Sequence, residues 1–321
     1  MLRFAKTALL SLGLMLAPAV FAQQADAAAV TATAAPAATP ASAAPSPTAP
    51  DARVGQPVDW GLDIQPQVTP NGEYALWMHS VILMPIIVAI SLFVLGLLFW
   101  VSFRYRRAAN AVPSKTAHNT TIEIIWTLLP VLILLGISIP SISLLAAQYK
   151  SPGKDALTIK AIGNQWYWSY EYPDNGGFEI TANMLPDAEA KQRGEPRLLA
   201  TDNRVVLPVG VPIRLLTTSN DVIHAWSVPA FWTQMDAVPG RINEASFLIE
   251  KPGVYYGQCY QICGARHGYM PITVEAVSKE QFAQWVASKG GTMTGEKPAA
   301  TAASAPVTPV VSPASTAATK S

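Results

Sequence analysis

The sequence predicts a two-helix transmembrane hairpin followed by an all-β soluble domain of sandwich or Greek-key barrel type. Three observations carry this prediction. Half of the residues are hydrophobic and only 13% are charged, which suits membrane content. Two long apolar runs, about 76–101 and 122–147, flank a short basic loop. From about residue 150 to 290 the pattern changes to short strand-like runs punctuated by turn residues.

The first residues read as a secretory signal peptide over 1–22. Arg3 and Lys6 form a basic start, an apolar core follows from Ala8 to Val20, and Val20-Phe21-Ala22 offers a small-residue cleavage context. An uncleaved signal anchor is the alternative. Both readings start the following segment outside the cytoplasm. Residues 23–70 open with an Ala/Pro/Thr/Ser tract, and 291–321 form a similar tail. Neither composition buries enough apolar surface to offset the entropy of ordering. The net charge of +1 excludes a chain dominated by nucleic-acid binding.

The hairpin is placed at 71–149. Its first run has no charge from Val81 to Trp100, and Pro85 is a candidate kink. Arg104, Arg106, Arg107 and Lys115 mark the connecting loop as cytoplasmic, so both termini face the periplasm. Pro130 and Pro140 interrupt the second run. Glu123 stands at its cytoplasmic start, either as a headgroup-level acid or as a collector of protons for a partner.

The soluble domain is placed at 150–290. Its expected strands are 156–162, 165–172, 204–208, 213–218, 245–249, 253–256 and 270–277, with a terminal helix near 280–288. His224 is expected after one strand. The stretch from Cys259 to Met270 is expected as a loop between two later ones, so that loops at one end of a sandwich bring these residues together.

The chain has two cysteines and four histidines. Cys259, Cys263, His224, His267 and Met270 make a soft ligand set that favours copper. A Cys259–Cys263 disulfide and a zinc site remain open from spacing alone. A disulfide leaves His224, His267 and Met270 without a shared purpose, and structural zinc seldom recruits methionine. A mononuclear blue-copper site needs one cysteine, whereas two thiolates can bridge two copper ions with one histidine terminal on each.

Five stretches resemble cytochrome c oxidase subunit II of the bacterial type. They are Gln165-Trp166-Tyr167-Trp168-Ser169-Tyr170-Glu171-Tyr172, Asp202-Asn203-Arg204-Val205-Val206-Leu207-Pro208, Asp221-Val222-Ile223-His224-Ala225-Trp226-Ser227-Val228-Pro229, Asp236-Ala237-Val238-Pro239-Gly240-Arg241, and residues 256–271. The resemblance implies a cupredoxin-like barrel holding a binuclear copper centre, CuA. Its ligands would be His224, Cys259, the Gln261 backbone oxygen, Cys263, His267 and Met270.

Trp166 would accept the electron from cytochrome c, with Tyr167, Asp202, Asp221 and Asp236 at the docking face. Arg241 would contact subunit I, which carries haem a and the haem a3–CuB pair where oxygen is reduced. Subunit III is a further implied partner, and Glu123 would stand at the mouth of the K pathway for protons. The family's glutamate between the cysteines is Gln261 here, which puts a magnesium or manganese ion at the subunit I boundary in doubt.

The localisation implied is the bacterial inner membrane. A quinol oxidase subunit lacks the copper ligands. Nitrous oxide reductase needs a histidine-rich domain that four histidines do not supply. No Cys-x-x-Cys-His haem attachment sequence occurs. A membrane-anchored periplasmic copper carrier or assembly protein is the alternative function.

Overall fold

The computed structural model describes residues 46–293 apart from residue 52. The expected signal peptide, most of the Ala/Pro tract and the tail beyond 293 lie outside the described residues.

Helix α1 (Pro70–Trp77) passes through one wide π turn (Met78–Leu83) into α2 (Met84–Arg104). The Thr69 side chain accepts from Gly72 N–H and Pro70 opens the helix, a strong start signal. The π turn lies just ahead of Pro85, whose missing N–H and bulky ring a wide turn accommodates without breaking the helix. The continuous run Pro70–Arg104 has 35 residues, longer than the ~20 residues a bilayer core requires.

Helix α3 (Thr120–Gln148) starts at Asn119, whose side chain accepts from Ile122 N–H. The Glu123 carboxylate accepts in turn from Asn119 N–H at 2.9 Å. This reciprocal pair closes the helix start. Pro130 and Pro140 lie inside α3 without ending it. Ser138, Ser141 and Ser143 donate to carbonyls about one turn back, the device by which apolar helices keep backbone groups satisfied around proline. No residue of α2 or α3 is buried in the chain. Such wholly apolar exposed surfaces are stable in lipid, not in water.

The β-domain contains β1 (Leu157–Asn164), β2 (Tyr167–Tyr172), β3 (Phe178–Ala182), β4 (Val205–Pro208), β5 (Pro212–Ser219), β6 (His224–Val228), β7 (Thr233–Ala237), β8 (Asn243–Leu248), β9 (Gly253–Cys259) and β10 (Ile272–Val277). A short helix α4 (Asp187–Gln192) precedes β4, and α5 (Lys279–Ser288) closes the domain. One sheet runs β3-β2-β1-β5-β8 and the other β4-β10-β9-β6-β7. The pairs β1–β5 and β4–β10 are parallel. The result is the expected cupredoxin-like sandwich, with mixed rather than purely antiparallel sheets.

The core is aromatic. Trp168, Tyr170, Tyr172, Trp226, Phe231, Tyr255 and Phe282 are fully buried. Their polar atoms are satisfied across the sandwich. Trp226 Nε1 donates to Tyr170 Oη at 3.3 Å, and Tyr172 Oη bonds to both backbone groups of Val206. Burial pushes the Tyr170 and Tyr172 hydroxyls well above the usual phenol range, so both stay neutral.

The structure corrects the expected strand list. It adds β3, β6 and β7; His224 follows β5, as expected, and itself opens β6. All five residues of β6 are buried, so it shows no alternation of apolar and polar residues. Strand β7 exposes mostly polar side chains. Helix α5 begins at Ser278, which forms a capping box with Gln281.

Candidate metal centre

Three loops meet at one end of the sandwich. They are the β1–β2 turn at 165–166, the β5–β6 loop at 220–223, and the β9–β10 loop at 260–271. Strand β9 delivers Cys259 as its last residue, while a single 3-10 turn, His267–Tyr269, brings the chain back to Met270. His224 sits opposite Ala237 of β7, and its neighbour Trp226 faces Cys259 of β9. The histidine is therefore mounted on a strand, not on a free loop, which limits its motion.

Cys259 Sγ and Cys263 Sγ lie 3.9 Å apart. Both are free thiols, and the separation is far beyond the ~2 Å of a disulfide bond. His224 Nδ1 lies 3.8 Å from Cys259 Sγ, and His267 Nδ1 lies 3.5 Å from Cys263 Sγ. Met270 Sδ is 3.5 Å from Cys263 Sγ, and the Gln261 carbonyl oxygen is 3.3 Å from Cys259 Sγ. The structure thus gathers every expected ligand around two sulfurs. The ligand atoms of His224, Cys259 and Cys263 lie within 4.8 Å of one another, a cluster fit for a metal ion.

The electrostatics match that use. Burial works against ionising Cys259, but the His224 ring and nearby backbone outweigh it and hold its thiol below the usual range. Burial, with Cys259 beside it, pushes the Cys263 thiol up to about 12. One thiolate forms readily and the second resists. Two negative charges this close need a cation between or beside them.

Sequence reasoning did not identify the residues that hold the ligands. Asp221, expected at the docking face, places Oδ1 2.9 Å from His224 Nε2. Its other oxygen accepts from Gln165 N–H at 2.6 Å. Burial tends to raise the Asp221 carboxyl, but hydrogen bonds from His224, Val222 and Gln165 together lower it. A carboxylate on Nε2 leaves Nδ1 directed at the sulfur, as in carboxylate–histidine–metal arrangements. Gly163 makes room for that ring, since a Cβ there would come within 2.6 Å of His224 Cδ2.

Gln165 has a second contact. Its Nε2 donates to the Cys263 carbonyl at 2.9 Å, and Trp166 Nε1 donates to the same oxygen at 3.3 Å. Half-buried Trp166 lies against Gly264, where a Cβ would approach its ring to 3.0 Å and φ is +119°. Trp168 is fully buried beside His224 and donates from Nε1 to Met270 O. No spacing in the sequence pointed to Gln165, because its partners are 56 and 98 residues away.

The remaining expected residues are placed as follows. Tyr167 is half-buried at the start of β2, next to Trp166. Asp202 is exposed, but its oxygens accept from the Asn183 and Asn203 N–H groups, so it ties two loops together. Asp236 is exposed on β7 at the end that carries the cysteine–histidine cluster. Arg241 is exposed in the β7–β8 turn at the same end. Two further acids of the domain are engaged, Glu171 by Lys160 at 3.0 Å and Asp174 by Thr158 N–H at 2.6 Å.

Comparison with known proteins agrees with this arrangement. Residues 57–144 match the family model described as the cytochrome c oxidase subunit II transmembrane domain, and residues 157–277 match the periplasmic domain of the same subunit. The probable cytochrome c oxidase subunit 2 of Rickettsia conorii is 47% identical over 244 residues, covering 76% of each chain. Cytochrome c oxidase subunit 2 of Arabidopsis thaliana is 42% identical over 242 residues, covering 74% of this chain and 92% of that one. The crystal structure of the periplasmic domain of subunit II (CoxB) of Bradyrhizobium japonicum is 48% identical, covering 43% of this chain and 96% of that one, with a TM-score of 0.40. The chain belongs to the cytochrome c oxidase subunit II family, the electron-transfer subunit of a respiratory oxidase, held in the inner membrane by two spans with its β-domain in the periplasm.

Proposed function

We propose that His224, Cys259, the Gln261 carbonyl, Cys263, His267 and Met270 hold a binuclear copper centre, CuA. The observation that carries this reading is the paired geometry: two sulfurs 3.9 Å apart, each with its own histidine Nδ1 at 3.8 or 3.5 Å. The donor set fits copper in softness and number. Such a centre, when bound, stores one electron shared over two ions with little change in geometry.

The residues of the chain do the rest. Asp221 fixes the His224 ring, and Gln165 and Trp166 hold the Cys263 carbonyl. Cys259, Cys263 and Met270 are each at most 5% exposed and His224 is fully buried. This burial excludes bulk water, favours a resident cofactor and argues against a copper carrier, which must release its cargo. Gln261 is exposed and carries no charge, so a magnesium or manganese ion held there would have only an amide oxygen from this side chain.

Copper content and electron paramagnetic resonance of the full chain test the assignment. A copper pair in each chain, with hyperfine splitting shared by two equivalent nuclei, is expected. A signal from one nucleus, or no copper with a Cys259–Cys263 disulfide, overturns it.

Trp166 is the ring through which cytochrome c hands over its electron in this reading. It is half-buried and hydrogen-bonded directly to the carbonyl of a ligand residue, which gives a short bonded route. Asp221 and Asp236 supply negative charge at the same end, which steers a basic partner. Trp166→Leu is expected to slow cytochrome c oxidation at least ~10-fold, the scale of an interface hot spot, while the copper signal stays. An unchanged rate would remove Trp166 from the route.

Subunit I receives the electron, with Arg241 at the contact. Glu123 serves proton uptake from the opposite side of the membrane. Its carboxylate also caps α3, so Glu123→Gln, which keeps an acceptor for the cap, is the informative substitution. Slower turnover with unchanged copper is expected, and unchanged turnover across pH would sink the assignment.

A further inference from the structure

A buried charge network lies in the β-domain outside the ligand cluster. Arg204, just before β4, donates to Glu195 Oε1 at 2.8 Å and to Glu275 Oε2 at 3.1 Å. The side chains are 10%, 0% and 9% exposed for Arg204, Glu195 and Glu275. Tyr256 Oη donates to the second Glu195 oxygen at 3.2 Å. Glu195 is thus fully engaged. Arg204 and Glu275 each keep one group directed outward, into a groove of about 670 Å³ whose walls include Ile180, Arg193, Asp202, Trp285 and Lys289.

The chain's own segment Ser46-Pro47-Thr48-Ala49-Pro50 forms one wall of that groove. Both backbone groups of Thr48 are gripped. Its N–H donates to Glu275 Oε1 at 2.5 Å, and its carbonyl accepts from Arg204 Nη1 at 2.8 Å. Ser46, Pro47 and Ala49 are exposed, so these contacts read the main chain rather than those side chains. Charge-assisted bonds to a backbone unit are strong where water is excluded. Pro47 and Pro50 hold their own φ, and Pro50 keeps Ala49 extended, which lowers the entropy lost on docking.

The chain beyond the groove continues along the domain. Val54 packs on the core, and Gly55 O accepts from Tyr256 N–H at 2.7 Å. Val68 bonds through N–H to Ala230 O and through its carbonyl to Glu250 N–H, and Thr69 Oγ1 donates to Phe231 O just before α1. The β-domain is therefore joined to the hairpin twice, by residues 149–156 after α3 and by residues 46–69 before α1.

We propose that Arg204 and Glu275 form a main-chain clamp, a binding site for an extended proline-flanked peptide segment. Its occupant is residues 46–50 of this chain, and its closure makes residues 46–69 a strap across the domain. The clamp stands apart from the copper ligands and does not depend on them.

Hydrogen exchange of the full chain in its detergent-solubilised complex tests this. The Thr48 and Val54 amides, which donate to Glu275 Oε1 and to Asp51 O, are expected to exchange at least ~10-fold more slowly than in a free peptide, as expected for hydrogen-bonded backbone. Thr48→Pro removes the N–H that Glu275 accepts and should return the Val54 amide to the free-peptide rate, leaving the β-core protected. Thr48→Val keeps that N–H and should keep the protection. Free-peptide exchange in the unmodified chain, or full protection of the strap in Thr48→Pro, overturns the clamp.

Discussion

If the proposed copper centre holds, Cys263→Ser is expected to abolish it and to lower electron transfer from cytochrome c at least ~100-fold, beyond the ~10–100-fold typical of losing a supporting partner of a metal ligand. Cys263 links the two halves of the cluster. It faces Cys259 at 3.9 Å, His267 Nδ1 at 3.5 Å and Met270 Sδ at 3.5 Å. Serine matches its shape but supplies a hard oxygen that stays protonated at neutral pH, so one of the two soft thiolate donors that would hold copper is lost. The fold should survive, because Cys263 sits in the β9–β10 loop rather than in a sheet. Retained shared hyperfine splitting in the purified Cys263→Ser chain would show that this thiol is no bridge.

Arg204→Met is expected to destabilise the β-domain by about 3–5 kcal/mol, because it leaves two buried carboxylates without their cation. Glu195 has no exposed side-chain surface and Glu275 has 9%. Glu195 does not reach water without opening the fold, and Glu275 does so only through the groove beside Thr48. For a domain of this size such a loss lowers the thermal midpoint by roughly 10 °C or more. The companion variant is informative. Replacing Glu195, Arg204 and Glu275 together by apolar residues of similar volume should recover most of the stability, since an intact buried network costs desolvation energy that apolar packing does not. A single-variant shift below ~1 kcal/mol would mean that the carboxylates are effectively solvated.

The two variants separate function from fold. Cys263→Ser removes the site and keeps the sandwich. Arg204→Met weakens the sandwich, loosens the grip on Thr48 and leaves the ligand set chemically whole.

Several elements were legible in the sequence because they depend on local physics. The spans follow from apolar length and the basic loop between them, and α2 and α3 extend only a few residues beyond the expected runs. A long strand with alternating burial, such as β5 with every second residue inward, was found. The wholly buried β6 was not, because it does not alternate, and β3 and β7 were not, because alternation over five residues with few strong apolar side chains is a weak signal. The ligand residues were legible because two thiols, two imidazoles and a thioether form an unusual chemical set in a chain with so few of them.

The sequence by itself determined the two spans, the β-rich domain and the soft donor side chains that cluster at the candidate metal centre, since these rest on hydrophobic length, turn chemistry and donor softness. Only the tertiary structure decided that Asp221 orients His224, that Gln165 and Trp166 hold Cys263, and that Arg204 and Glu275 grip Thr48. Those contacts join residues from 3 to 227 positions apart, and strand pairing and packing, not local propensity, bring them together.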